Sequence, residues 1–218
     1  MSINPDEFVI TRRRKKYKFA LFANSPICFE YEQWQKRSID VLELGAGTGL
    51  FSVELAMRHP EQTFLAIDVK ADRLQKGARV AEERHLKNIW FVRARADQLN
   101  DLVPIHSLRS LWLTFPDPFP KQRSERRRMT HAHFLQQYEK LLIKNGALYL
   151  KHDNPDFFAW SLEQLVHEKW HIDELTFDLH ESDFSDDYKI LTTYETHWLG
   201  EGLTTNFLKA FPKPAKKS

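Results

Sequence analysis

Three of the seven glycines in this 218-residue chain fall within five positions, at Gly45, Gly47 and Gly49 in "ELGAGTG". The apolar run Ser38–Gly45 predicts a buried strand, and Leu50–His59 places apolar residues at helical spacing. Glycine is needed where a backbone turns sharply or approaches a ligand without a Cβ in the way. A glycine-rich turn between a strand and a helix indicates a ligand site at the carboxyl edge of an α/β sheet, with a plain tight turn as the alternative.

Strands and helices continue to alternate after this turn. Further strands are predicted at Thr63–Val69, Ile89–Ala96, Ser110–Phe115 and Gly146–His152, and further helices at Ala71–His85 and Thr130–Ile143. This alternation predicts an α/β fold with a mostly parallel sheet and helices on both faces. After about residue 170 the segments Trp170–His180 and Leu191–Gly200 follow each other without a helix. They predict an antiparallel C-terminal hairpin.

Two segments are expected, a basic N-terminal arm at residues 1–37 and one domain at residues 38–218. The arm carries the basic run "TRRRKK", Thr11–Lys16. Cys28 stands alone, which excludes an internal disulfide and a multi-cysteine zinc site, and we expect it to fill the core. We expect no metal. No signal-peptide pattern or membrane-length apolar run is evident, so a cytoplasmic location is expected.

The residues around the glycine turn indicate which ligand it holds. A dinucleotide fingerprint G-x-G-x-x-G needs a glycine at the position of Leu50, and the third glycine comes one residue early. Glu43, two residues before Gly45, would repel a pyrophosphate but suits a ligand with a cationic end. S-adenosylmethionine has an ammonium, a sulfonium and a ribose but no phosphate. Asp68, at the end of the second strand, can bind ribose hydroxyls, or it can be an acid at a helix N-terminus.

The stretch "LTFPDPFPKQRSERRRM" places an acid, Asp117, in a proline-rich loop directly before a block of positive charge. Prolines fix φ and stiffen the loop. We expect Phe115 to lie in the strand core and Phe119 to face the site. The basic residues next to an acid-bearing loop suit RNA phosphates. They are Lys121, Arg123, Arg126, Arg127 and Arg128, with Arg12, Arg13, Arg14, Lys15 and Lys16 in the arm.

With these motifs, the chain resembles the tRNA (guanine-N7)-methyltransferases, which are class I, Rossmann-like, S-adenosylmethionine-dependent enzymes. They methylate a guanine in the variable loop of tRNA. The resemblance extends from about Val41 to the C-terminus. It rests on "ELGAGTG", "FPDPFPK", the arginine block, "HFLQQYEKLL", "KHDN" and "TTYE". It implies S-adenosylmethionine as the cofactor and tRNA as the partner, and leaves a monomer and a homodimer both open.

The resemblance also implies roles for individual residues. Glu43 and Asp68, with Gly45 and Gly47, correspond to the cofactor site. Asp117 corresponds to the central catalytic acid, which accepts hydrogen bonds from guanine N–H groups or binds the ammonium of the cofactor. The third cofactor position falls at Arg95, so the adenine contact comes from Arg95, from the backbone of Ala96 or from Asp97. The positions that match substrate-binding residues are Lys121, Asp153, Thr192, Thr193, Tyr194 and Glu195, and Arg127 joins them through its charge.

Arg95 stands where the family usually carries an acid, and three further positions depart from the family pattern. Phe119 replaces the usual tryptophan, Ser124 replaces a histidine in the basic block, and His152 replaces a threonine. Methylation at guanine N7 needs no base, because N7 is an unprotonated acceptor. Positioning and preorganised electrostatics would then supply most of the rate. The alternatives are a methyltransferase for another RNA acceptor and an inactive tRNA-binding subunit; the glycine spacing disfavours an oxidoreductase.

Overall fold

The structure is a computed structural model that describes residues 13–199, 202 and 204–213. Within these ranges there are seven α-helices and eight strands. The strands are β1 Cys28–Glu30, β2 Val41–Leu44, β3 Phe64–Asp68, β4 Ile89–Arg93, β5 Leu108–Thr114, β6 Leu142–His152, β7 His171–Thr176 and β8 Asn206–Phe211. The helices are α1 Arg13–Ala23, α2 Leu50–Arg58, α3 Ala71–Glu83, α4 Leu99–Leu102, α5 Ala132–Leu141, α6 Pro155–His167 and α7 Thr193–Leu199.

All eight strands belong to one sheet, in the order β1-β4-β3-β2-β5-β6-β8-β7. The pairs from β1 to β6 are parallel, whereas β8 runs antiparallel to both β6 and β7. The predicted α/β fold with a mostly parallel sheet and an antiparallel ending is confirmed. The chain passes from β2 to β3 on one side, and β5 lies on the other side of β2. This change of direction opens a crevice at the carboxyl ends of the strands, where ligands bind in such folds.

Side chains on the two faces of the sheet form two apolar cores, because successive residues of a strand point to opposite faces. In β3, Leu65 and Ile67 pack with residues of α4, α5 and α6, whereas Phe64 and Ala66 pack with residues of α1, α2 and α3. Cys28 lies in the second core, and burial raises the pKa of its thiol to about 12. Such a thiol is core filler, as predicted, and not a nucleophile.

The strand predicted at Leu191–Gly200 is wrong, because this segment forms α7. Thr192 Oγ1 accepts a hydrogen bond from Glu195 N at 3.0 Å, and Glu195 Oε2 accepts one from Thr192 N at 3.1 Å. These reciprocal bonds are a capping box, which begins a helix. The antiparallel partner of β7 is β8, a strand that the pattern did not predict.

Residues 13–37 of the expected N-terminal arm pack on the rest of the protein. Strand β1 pairs with β4, and Ala20 and Phe22 of α1 are buried. Trp34 is also buried, and its Nε1 donates to Leu102 O at 2.8 Å. Residues 1–12, including Arg12, lie outside the described residues, as do the side chains of Arg13, Arg14 and Lys15.

Candidate active site

A cavity of about 720 Å³ lies at the carboxyl ends of β2, β3 and β5. This volume falls within the range of about 300–1,000 Å³ that is typical of small-molecule sites. Many of the predicted site residues line the cavity, namely Glu43, Gly45, Gly47, Asp68, Ala96, Asp117, Thr192, Thr193 and Tyr194. They come from segments that are far apart in the chain, and the parallel strands bring them to one edge.

The glycine turn shapes one wall of the cavity. Gly47 has a φ of 56°, a left-handed conformation that favours glycine, and a Cβ there would meet no atom within 4 Å. The backbone is therefore open toward a ligand. Gly49, by contrast, has no room for a side chain, because a Cβ there would lie 2.6 Å from Cε1 of Phe91.

Asp68 is held at the mouth of this turn by two backbone donors. Its Oδ2 accepts from Gly47 N and its Oδ1 from Lys70 N, each at 2.8 Å. Burial raises the pKa of Asp68, although these two bonds oppose the rise. Each carboxylate oxygen keeps a lone pair, so Asp68 can accept hydrogen bonds from a ligand hydroxyl.

Glu43 is buried at the floor of the cavity and is only 1% exposed. Ser52 Oγ donates to its Oε2 at 2.5 Å, and Thr114 Oγ1 donates to its Oε1 at 2.6 Å. Burial raises the pKa of Glu43 to about 7, and the two hydroxyl bonds limit the rise. A cation entering the cavity would favour the ionised form. Sequence reasoning missed Ser52 and Thr114, which no motif marked.

The loop after β5 presents Asp117, which is exposed and lines the cavity. Phe115 and Phe119 have φ of 52° and 42°. A left-handed conformation at a residue other than glycine costs about 1–3 kcal/mol, so the surrounding structure must hold this loop. The expectation that Phe115 lies in the strand core is wrong, because its ring lines the cavity 5.3 Å from the ring of Tyr194. Phe119 does not line the cavity.

Glu195 lies behind the cavity wall and not on it. It is 1% exposed, and its Oε2 lies 2.8 Å from Nζ of Lys151, which is fully buried. His180 Nε2 and Thr205 Oγ1 approach its Oε1 at 2.8 and 3.1 Å. Burial lowers the pKa of Lys151, and the charge of Glu195 opposes this shift. The predicted substrate contact by Glu195 is therefore corrected: Glu195 fixes the start of α7, where Thr192, Thr193 and Tyr194 line the cavity.

Other predicted site residues lie outside the cavity. Arg95 and Asp97 form an exposed ion pair, with Nε–Oδ1 and Nη2–Oδ2 distances of 2.8 and 2.7 Å. Of the three residues considered for the adenine contact, Ala96 lines the cavity, and Arg95 and Asp97 do not. Asp153 does not line the cavity either, and its Oδ2 accepts from the hydroxyl of Tyr194 at 3.2 Å.

The basic block divides into outward and inward residues. Lys121, Arg123, Arg126 and Arg127 are exposed on or beside the short 3-10 helix Gln122–Arg127, outside the cavity lining. Arg127 also covers the ring of Phe119 at 4.3 Å. Arg128 is 8% exposed and its guanidinium bonds to the Asp117 loop, so the expectation that it binds phosphate is corrected.

The described residues contain no cluster of three or more histidine, cysteine or acidic side chains arranged to hold a metal ion. In the same ranges no helix has the length and apolar character needed to cross a membrane.

Solved structures share this fold. The 16S rRNA methyltransferase KamB superposes with a TM-score of 0.61 at 15% identity, covering 84% of this chain and 90% of that one. A 16S rRNA (adenine(1408)-N(1))-methyltransferase from Catenulisporales acidiphilia superposes with a TM-score of 0.55 at 12% identity, covering 100% and 95%. A family model described as "Putative methyltransferase" matches residues 37–208. The fold and this match define a class I α/β methyltransferase.

Curated relatives that share one name identify the family within this class. A tRNA (guanine-N(7)-)-methyltransferase of Brevibacillus brevis is 33% identical over 190 residues, which are 85% of this chain and 87% of that protein. Proteins with the same name from Bacteroides fragilis and Mycoplasmopsis synoviae are 31% and 38% identical. They cover 90% and 78% of this chain, and 85% and 82% of their own lengths. The chain belongs to the tRNA (guanine-N7)-methyltransferase family.

Proposed function

We propose that this protein transfers a methyl group from S-adenosylmethionine to N7 of a guanine in the variable loop of tRNA. The observation that carries the proposal is the meeting of Glu43, Asp68 and Asp117 at one cavity, at the strand ends of a methyltransferase fold. The names of the relatives supply the substrate and the acceptor atom. A cytoplasmic location belongs to the same proposal.

The residues of the cavity suit the cofactor. When bound, S-adenosylmethionine supplies an activated methyl group on its sulfonium. Glu43 offers a negative charge to the cationic amino acid end, and Asp68 offers acceptors to the ribose hydroxyls. The open backbone at Gly47 leaves room for a ligand, and Ala96 lies where an adenine edge can meet backbone groups. The acids of this cavity suit a cofactor that is cationic and carries no phosphate.

The other wall of the cavity suits a guanine. Guanine N7 is already a lone-pair acceptor, so the protein has no proton to remove before attack. Asp117 can accept hydrogen bonds from guanine N–H groups and thereby orient the base. The rings of Phe115 and Tyr194 lie 5.3 Å apart and offer aromatic faces to a base taken out of its stack. Positioning and exclusion of water then supply the rate.

The exposed cations after the loop suit the phosphates that flank the base. Lys121, Arg123 and Arg126 are exposed on the segment that follows Asp117. Contacts to phosphate give affinity and orientation without reading sequence. Arg127 carries a charge at the same surface, and its guanidinium packs over the ring of Phe119 in the Asp117 loop.

A methyl-transfer assay tests the proposal. The protein is incubated with methyl-labelled S-adenosylmethionine and with unmodified tRNA or, separately, with 16S rRNA. We expect label in tRNA, and its loss in Asp117→Asn with cofactor affinity within about threefold of the wild type. Label in rRNA and not in tRNA would replace the substrate. Binding of tRNA without transfer of label would favour the inactive binding subunit.

A further inference from the structure

The Asp117 loop has few ways to hold itself in place. Pro116, Pro118 and Pro120 have no N–H to donate, and Phe115 and Phe119 take left-handed conformations on either side of the acid. Within the described residues, no hydrogen bond or ion pair holds the carboxylate of Asp117. The position of this carboxylate therefore depends on how the backbone of the loop is fixed. At the start of the loop, Phe115 N donates to Lys151 O at 2.9 Å. The carbonyl oxygens on either side of Asp117 offer further points at which the loop can be held.

His152 holds the carbonyl that precedes Asp117. It is buried at the end of β6, and its Nε2 lies 2.9 Å from Pro116 O. Because a carbonyl only accepts, Nε2 carries a hydrogen and donates it. Nδ1 lies 2.9 Å from Asn154 N, which donates to it, and 3.2 Å from Asp153 Oδ1. The backbone of Asn154 thus orients the ring toward the loop.

Arg128 holds the two carbonyls that follow Asp117. Its Nε donates to Pro118 O at 3.0 Å, and its Nη2 donates to Phe119 O at 3.2 Å. The guanidinium lies over the ring of Trp160 at 4.4 Å, and Nη1 lies 3.8 Å from Glu125 Oε1. The planar guanidinium, stacked on a ring, holds the two acceptors in one fixed geometry, whereas the ammonium of lysine is a point charge on a flexible stem.

One helix supports both side chains. Helix α6 carries Phe157, whose ring lies 4.5 Å from that of His152, and Trp160, on which Arg128 lies. The rings of Phe157 and Trp160 stack at 6.4 Å. His152 and Arg128 therefore contact opposite ends of the loop, and both pack on aromatic rings of α6.

From these contacts, we propose that His152 and Arg128 are positioning residues that together clamp the Asp117 loop through the carbonyls of Pro116, Pro118 and Phe119. The expected effect on catalysis rests on the proposed function, whereas the fixing of the loop backbone rests on the geometry alone. It separates Arg128 from its neighbours in the basic block, and it gives His152, a departure from the family pattern, a defined task.

The test compares variants that keep or remove each contact. His152→Leu removes the donor, whereas His152→Gln keeps an N–H donor of similar reach. Arg128→Lys keeps the charge but loses the fork, and Arg79→Lys is the matched control at an exposed arginine of α3, outside the cavity lining. We expect His152→Leu and Arg128→Lys to lower kcat about 10- to 100-fold, since a small misplacement at a site costs this much. We expect affinities for S-adenosylmethionine and tRNA within about threefold of the wild type, and His152→Gln and Arg79→Lys near wild-type kcat.

Hydrogen exchange gives a readout that does not need activity. The amides of residues 113–121 should exchange faster in His152→Leu and Arg128→Lys than in the wild type, and at the wild-type rate in Arg79→Lys. Faster exchange in a protein that transfers no methyl group would sustain the clamp and overturn the proposed function. Unchanged exchange with unchanged kcat would overturn the clamp. Loss of tRNA affinity in Arg128→Lys with normal kcat at saturating tRNA would make Arg128 a substrate contact and also overturn it.

Discussion

Replacing Glu43 by glutamine should stabilise the protein at pH 8 and remove its affinity for a cationic cofactor. The pKa of Glu43 is about 7 in the folded protein, against an ordinary value of 4.5. Because the folded value is the higher one, this group contributes full stability below pH 4.5 and loses it as the pH rises through 7. The loss above pH 7 amounts to about 3 kcal/mol, at about 1.4 kcal/mol per pKa unit.

Glutamine avoids this loss because it carries no charge at any pH. Its amide oxygen can accept from one of the hydroxyls of Ser52 and Thr114, and its amide nitrogen can donate to the other once that hydroxyl turns. We therefore expect Glu43→Gln to unfold with a free energy about 2–3 kcal/mol above wild type at pH 8, and within about 1 kcal/mol of it at pH 5.

Urea unfolding of both proteins at pH 5 and pH 8 measures this difference, and calorimetry at pH 8 measures the affinity for S-adenosylmethionine. Asp40→Asn is the control. Burial by itself would raise the pKa of Asp40, but the hydrogen bonds from Thr63 and Arg109 outweigh it and hold the pKa below its ordinary value. The charged form of Asp40 therefore stabilises the folded protein, and Asp40→Asn should destabilise it at pH 8. Parallel pH profiles for wild type and Glu43→Gln would contradict this prediction, because they would mean that folding does not raise the pKa of Glu43.

Three further changes test other parts of the structure. Arg127→Glu should weaken tRNA binding and reduce its salt slope by about 1, with cofactor affinity intact; equal loss of both affinities would contradict a phosphate contact. Glu195→Ala should destabilise by about 3–5 kcal/mol in urea unfolding, because it leaves the charge of Lys151 buried and unpaired; a loss of turnover at wild-type stability would restore Glu195 to the substrate. Gly49→Ala should lower the melting temperature, because its Cβ would lie 2.6 Å from Phe91; an unchanged value would show that the ring moves freely.

The strands from β2 to β6 could be predicted because their signal is local. Each is a short apolar run between turn residues, and parallel order then places Glu43 and Asp68 at one edge of the sheet. Asp117 follows from the same rule, because it comes directly after β5. These predictions needed only the spacing of residues along the chain.

The remaining features depend on contacts between distant segments. Lys151 and Glu195 are 44 positions apart, so the burial of the acid could not be read from either motif. Arg128 cannot be distinguished from its neighbours in sequence, because its inward position depends on contacts with Trp160 and with the carbonyls of the Asp117 loop. Helix α7 was the exception, because Thr192 and Glu195 had the spacing of a capping box that the alternation of polar and apolar residues obscured.

Nucleoside mass spectrometry of unmodified tRNA, incubated with this protein and S-adenosylmethionine, identifies the methylated nucleoside and therefore the acceptor atom. We expect a new 7-methylguanosine that maps to the variable loop and is absent with Asp117→Asn. A different methylated nucleoside, or 7-methylguanosine formed equally well by Asp117→Asn, would contradict this expectation.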